Sequence, residues 1–303
     1  MNNTDRFISF FYPKLLSEET MRKSESTIIR IAVASFIVHL IIIFLNDLKI
    51  IELSSFSELV KNPISAIYTP FSFILVYEVY LLVYYLPKST SKYIGKQYEI
   101  ITLILIRRIF KDLSNLQFTD NWFAVKDDLQ FTYDISATII LFVLLLLFYR
   151  LNEAKDFERE TSSEFSLELG KFIKMKKIIA ICLVPIFISL AFYSFAKWIN
   201  EYFFSISLLV VKIKDINKIF FDEFFTVLIL IDVLLLLYSF LHTDKFSKII
   251  RNSSFIISTI LLKLSFATEG LLNTILIVVA VSFGVIILAI HNQFENLNKP
   301  IKV

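Results

Sequence analysis

Eight stretches of this chain are apolar over roughly 17–22 residues, and no other feature restricts the fold as strongly. They fall at about 28–46, 66–86, 97–114, 133–151, 177–198, 222–241, 251–267 and 271–291. At 1.5 Å of rise per residue, each can cross a hydrocarbon core ~30 Å thick. Lipid offers no partner to an unpaired backbone N–H or C=O, so each crossing has to be helical. Composition agrees: 56% of residues are hydrophobic and 19% charged, against about 25% charged in a soluble domain. The expected fold class is an all-α integral membrane protein with about eight transmembrane helices. The third and seventh stretches are the least apolar of the set.

Basic residues give an orientation. The N-terminal segment, the loops after stretches two, four and six, and the C-terminal tail carry 19 Lys and Arg, whereas the opposite side carries 8. By the positive-inside rule both termini are expected in the cytoplasm, which needs an even number of crossings. The first apolar run follows a mixed polar stretch and has no small-residue cleavage site, so no secretory leader is expected. A single cysteine, Cys182, excludes an internal disulfide and any cysteine-based metal site. The net charge of +3 is too small to indicate a nucleic-acid partner. The lipid bilayer is the partner expected from composition, together with a second copy or another membrane protein.

Charges inside the apolar runs recur in order. Around Glu78 the sequence reads YEVYLLVYYLPKSTSKYIGKQYEIITLILIRRIF, and around Asp232 it reads IDVLLLLYSFLHTDKFSKIIRNSSFIISTILLKLSF. The spacing Glu78-x17-Lys96-x11-Arg108 returns as Asp232-x18-Arg251-x11-Lys263. Three charged positions repeating in sequence predict a duplication. The expected organisation is a cytoplasmic segment over 1–26, a four-helix repeat over 27–152 and a charged cytoplasmic linker over 153–172. A second four-helix repeat follows over 173–293, with a cytoplasmic tail over 294–303. Four crossings per copy make these parallel repeats about an axis near the membrane normal. The linker includes an amphipathic pattern through Phe165, Leu169, Phe172 and Ile173. The run 202–218 is apolar but bounded by charges, and is expected in the outer interface.

Helical rise converts these positions into depths. Glu78 lies nine residues from Pro87, or ~13 Å, and Arg108 eleven residues from Gln97, or ~16 Å. Asp232 lies ten residues from His242, or ~15 Å, and Lys263 twelve residues from Arg251, or ~18 Å. A lone Arg, Lys or Asp at mid-membrane costs about 2.5–3.5 kcal/mol on insertion scales. A carboxylate at equal depth offsets much of that, so the expected pairs are Glu78 with Arg108 and Asp232 with Lys263. Arg107 sits ~100° round the helix from Arg108 and is expected to face the other repeat, water or a second protomer. Such pairs either fix helix pairing or line an ion or proton path. Lys96 and Arg251 open their helices on the cytoplasmic side, where they snorkel to lipid phosphates.

An acidic residue on the second helix, a basic residue at the start of the third and another within it resemble the PsiE family of phosphate-starvation-inducible four-helix membrane proteins. Glu78, Lys96 and Arg108 meet that pattern, and Asp232, Arg251 and Lys263 meet it with one insertion. The closing TEGLLNTILIVVAVSFGVIILAI is similar to the family's last helix. The resemblance covers most of the second repeat and the middle of the first, and the chain departs from the family in carrying two copies and a charged linker. It implies a bacterial inner-membrane location and this architecture, and it supplies no activity, cofactor or catalytic residue. Voltage sensors are a poorer match, because only Arg108 and Lys111 keep their three-residue arginine spacing.

Other chemistry is thin. His39 is mid-helix among apolar neighbours and either relays protons or packs through a hydrogen bond; His242 and His291 lie near cytoplasmic helix ends. No HExxH, glycine-rich phosphate loop or His/Asp/Glu cluster is present. Ser136, Thr138, Ser258 and Thr259 are expected to bond backbone or neighbouring helices. Asp222 and Glu223 open the sixth stretch, where carboxylates favour a helix N-terminus. Four glycines and six prolines leave few broken helices, which disfavours an alternating-access transporter. The expected function is that of a non-enzymatic module, regulatory or structural, with no cofactor or metal. The alternative is an ion- or proton-conducting pore or an oligomeric membrane-permeabilising effector.

Overall fold

The computed structural model describes residues 3–50, 63–113, 116, 126–160, 167–203, 216–240, 246–268 and 270–297. All regular structure among them is helical: α1 (Asn3–Leu15), α2 (Glu18–Asp47), α3 (Tyr68–Tyr85, preceded by a 3-10 turn Pro63–Ile67), α4 (Thr90–Leu113), α5 (Lys126–Glu160), α6 (Leu167–Phe203), α7 (Ile216–Phe240), α8 (Phe246–Phe266) and α9 (Leu271–Leu297). His242 and most of the run 202–218 lie outside the described residues.

Local signals set the helix ends. Ser17 accepts a hydrogen bond from the Thr20 amide at 3.1 Å and so caps α2. Glu18 and Glu19 follow in its first turn and pair with Arg22 and Lys23 one turn on, at 2.7 and 2.6 Å. Ser89 caps α4 by accepting from the Lys92 amide at 3.3 Å. Pro70 is tolerated in the first turn of α3, where its missing N–H has no helical partner to lose. Gly270, at φ +67°, takes the left-handed turn between α8 and α9.

Burial runs opposite to that of a water-soluble globule. On α5 the inward positions are Asp134, Ala137, Thr138, Leu141, Leu145, Phe148 and Asn152, at three- and four-residue spacing. The outward face carries Ile139, Phe142, Val143 and Leu146, all about half exposed. Similarly, α8 turns Arg251, Ser254, Ser258, Thr259 and Ser265 inward and Ile257, Ile260 and Leu264 outward. An apolar exterior around a partly polar interior is stable only where the surrounding medium is apolar.

Six helical runs among the described residues are long and apolar enough to cross a membrane: Thr4–Asp47, Asp128–Glu153, Gly170–Tyr193, Glu223–Phe240, Ile249–Phe266 and Leu271–Leu297. Two of the eight expected stretches do not qualify. The second forms an apolar helix, Thr69–Tyr85, that is shorter. The third is α4, whose charged residues take it outside those limits. Its position explains the charge: α3, α5 and α8 pack around α4, burying Tyr93, Gln97, Tyr98, Ile101, Thr102, Leu105 and Arg107. A helix sheathed by its neighbours need not be apolar all round.

Helices also reach beyond their expected limits. α5 continues to Glu160 and α6 starts at Leu167, so both extend into the 153–172 linker. α6 runs through Pro185 without interruption. α1, not anticipated from the hydropathy pattern, is a short helix with exposed Phe7, Phe10 and Phe11. It is tied to α6 by Asp5–Lys174 at 2.8 Å and by Lys177 over the Tyr12 ring at 4.8 Å. An aromatic face beside a basic helix start suits the membrane–water boundary.

The centre of the bundle is closed by one aromatic lock. Tyr98 on α4 is fully buried, edge-on to Phe148 at 5.2 Å, with its hydroxyl 2.8 Å from Ser258 Oγ on α8. Ser258 in turn donates to the Ala280 carbonyl on α9 at 2.7 Å. The Tyr98 hydroxyl lies over Gly284 of α9, so a Cβ placed there would come within 1.8 Å of it. Gly284→Ala is therefore expected to destabilise the protein by about 1–3 kcal/mol through overpacking. Adding Tyr98→Phe should recover part of the loss, since the ring carbon at 2.8 Å still crowds the site. Unfolding in mixed detergent micelles measures both variants.

Candidate functional site

Two adjacent arginines on α4 diverge by ~100° to different neighbouring helices. Arg107 is buried and turns to α3, where its Nη2 donates to Glu78 and its Nη1 to the Phe71 carbonyl at 3.3 Å. Glu78 is thus neutralised by Arg107 and not by Arg108, which corrects the pairing expected from depth. The reason is geometric. The two arginines differ by only ~1.5 Å in height but by ~100° in rotation, and it is Arg107 that the helix turns toward α3.

Arg108 turns to α5 and α9. Its Nε and Nη2 grip both oxygens of Asp134, a fully buried carboxylate. Nη1 donates to Asn273 Oδ1, and Nη2 to Thr274 Oγ1 at 2.9 Å. Asp134 also accepts from Thr274 at 2.9 Å and from Gln130 at 2.8 Å, while the Asn273 amide donates to the Ser265 carbonyl of α8. One guanidinium therefore joins α4 to α5 and α9, and through Asn273 to α8. The two parallel N–H···O bonds are the strong fork arrangement of Arg with carboxylate.

In the second half the expected pair does not form. Asp232 is buried on α7, about eight residues from that helix's end, while Lys263 sits in the last turn of α8, half-buried. Lys263 is well placed to offset the negative end of its own helix. Asp232 instead accepts from Gln97 Nε2 of α4 at 3.4 Å, and the Gln97 carbonyl accepts from Thr259 of α8 at 2.8 Å.

The remaining expected positions resolve as follows. Lys96 pairs with Glu99 and lies over the Tyr85 ring at 5.2 Å; Glu99 also accepts from the Tyr149 hydroxyl of α5. Arg251 is buried, bonding Asn252 and meeting His291 Nε2 of α9 at 3.2 Å, so it does not reach outward to lipid phosphate. His39 of α2 is hydrogen-bonded to Thr69 of α3. Ser136 and Thr138 bond the carbonyls one turn back, at 2.8 and 2.7 Å.

Asp134, Gln97, Lys176 and the Asn273–Thr274 pair were not singled out by sequence. A lone carboxylate within the fourth apolar stretch was a usable signal, since intramembrane ionisable residues are rare and seek partners. Chemically, the two arginine clusters offer saturated, neutralised charge at the bundle's interior. No protein-family model matches this chain, and no match to it is found among curated proteins or solved structures.

Breaking either arginine pair from one side strands the other charge. Asp134→Leu or Arg108→Met alone is expected to cost about 3–5 kcal/mol, while the double variant returns close to wild-type stability. The same should hold for Glu78→Leu and Arg107→Met. Double-mutant cycles from detergent unfolding read the coupling, and none is expected between Glu78 and Arg108.

Proposed function

We propose that this protein is a non-enzymatic, multi-pass membrane module, regulatory or structural, whose buried charges hold its helices together. The observation that carries this reading is the saturation of the arginine clusters: Asp134 accepts from Arg108, Gln130 and Thr274 at once, and Arg107 is engaged by Glu78 and a carbonyl. Groups so fully bonded serve cohesion between helices better than they serve exchange with a passing ion.

We further read the architecture as eight crossings in two parallel four-helix repeats of PsiE-like type, with both termini on the cytoplasmic side of a bacterial inner membrane. In support, neighbours in sequence pack together in each half, α2 through α5 and α6 through α9. Across the halves α4 meets α8 and α5 meets α9, the third helix on the third and the fourth on the fourth. A rotation about an axis along the bundle relates such like-with-like contacts. Glu78 and Asp232 also lie at comparable distances from the ends of their helices, as do Arg108 and Lys263. The excess of Lys and Arg supports the orientation, and α1 would rest its phenylalanines at the cytoplasmic boundary.

A conducting pore is the competing reading, and one experiment separates the two. Proteoliposomes containing the full chain are expected to remain tight to protons, sodium, potassium and chloride at −100 to +100 mV, from about pH 5 to 8. Leak that scales with protein content and changes with Arg107→Met would overturn the cohesive reading in favour of conduction.

A further inference from the structure

One cavity breaks the pattern of direct neutralisation. It has a volume of about 40 Å³ and is lined by α4, α6, α7 and α8, near the bundle end where α4, α6 and α8 begin and α7 ends. Lys176 of α6 and Asp232 of α7 both line it and both are buried, 5% and 6% exposed. They are near enough to feel each other's charge, yet they make no direct ion pair. Lys176 donates to the Lys88 carbonyl at 3.2 Å and lies over the Phe172 ring at 5.1 Å, while Asp232 accepts a long bond from Gln97 at 3.4 Å. Tyr93, 3% exposed, brings to the same cavity a hydroxyl with no hydrogen-bond partner, beside Gln97 and Asp232. Phe172 and Phe255 form apolar walls.

At Arg107–Glu78 and Arg108–Asp134 opposite charges close directly on one another. Here a lysine and an aspartate stand apart across a gap, and charge buried on either without a direct partner is costly. What satisfies both at once is a molecule carrying an oxyanion for Lys176 and an amine for Asp232, with a polar atom in reach of Tyr93. By the roughly 10–15 Å³ that each water needs, the enclosed space takes about three water-sized groups, so only the amine end and the nearest oxyanion atom of such a molecule sit inside it and the remainder lies at the cavity's open side. We propose that this cavity is a binding site for a small zwitterion bearing an amine and an oxyanion. The shared chemistry has two sources, a free amino acid or the headgroup of an aminophospholipid. Binding there would tie α4, α6, α7 and α8 together, which gives a regulatory reading of the module its ligand class. The site stands whether or not the protein conducts.

The test uses the full chain in detergent, with thermal unfolding followed by circular dichroism. Glycine and O-phosphoethanolamine are the soluble probes; acetate and methylammonium, each carrying half the chemistry, are the controls. Nanodiscs with and without phosphatidylethanolamine supply the lipid arm. A saturable rise in midpoint of about 3–6 °C is expected with at least one zwitterionic probe, and the arm that responds identifies the source. Lys176→Met and Asp232→Asn should abolish it. Ser239→Leu and Ile256→Phe fill the cavity without touching either charge, and the response should vanish in whichever of them keeps the unliganded midpoint. The proposal falls if no zwitterion gives a saturable rise, if acetate or methylammonium alone does as well, or if the cavity-filled protein still responds.

Discussion

Charge placed beside lipid has to be answered by another side chain, and α4 is where this fold meets that demand. Its faces engage five different neighbours. Arg107 is committed to α3, Arg108 to α5 and α9, and Gln97 and Tyr98 to α7 and α8. None of these partners can be withdrawn without stranding a polar group where water cannot reach it, a cost of about 1–3 kcal/mol even for neutral groups. The surrounding helices are consequently free to be apolar outward, because the polar business of the bundle is concentrated on one enclosed rod and the faces turned toward it.

The two halves solve the same electrostatic problem differently. If Arg108 and Lys263 occupy equivalent places, the counterpart of Arg107 is Leu262. The cation that neutralises Glu78 in the first half has no equivalent on α8. Asp232 is therefore left to Gln97 of the opposite half and to the field of Lys176 from α6. That substitution explains why Asp232 adjoins a cavity while Glu78 adjoins a guanidinium. It also links the halves, since a carboxylate of one leans on an amide of the other.

Much of this was legible in the sequence, and the failures have specific causes. Apolar length and periodicity located the helices, while the recurring charges included Glu78, Arg108 and Asp232 but not the partners these residues meet. The start of α4 was misjudged because the apolar run begins near Gln97, whereas the helix begins at Thr90. Its first two turns are polar and held by the Ser89 cap and the Lys96–Glu99 pair. Rotation was beyond reach for another reason: neighbouring arginines differ by ~100°, and only the positions of surrounding helices decide which one meets Glu78. Asp134 was overlooked because a single carboxylate is averaged away by the leucines and isoleucines that follow it. The expected pair of Asp232 with Lys263 failed on the same ground of rotation, since Lys263 aligns with Arg108 and Leu262 with the residue that reaches Glu78.

The seating of Tyr98 over Gly284 has a mechanical corollary. Only a residue without a side chain leaves room for that hydroxyl, and one helical position to either side of Gly284 stands Phe283 or Val285. Any twist or slide of α9 against α4 would drive one of those side chains into the ring. Sliding of α9 past α4 at this level is therefore opposed by direct steric contact, whereas α2, at the edge of the bundle, is held chiefly by α3.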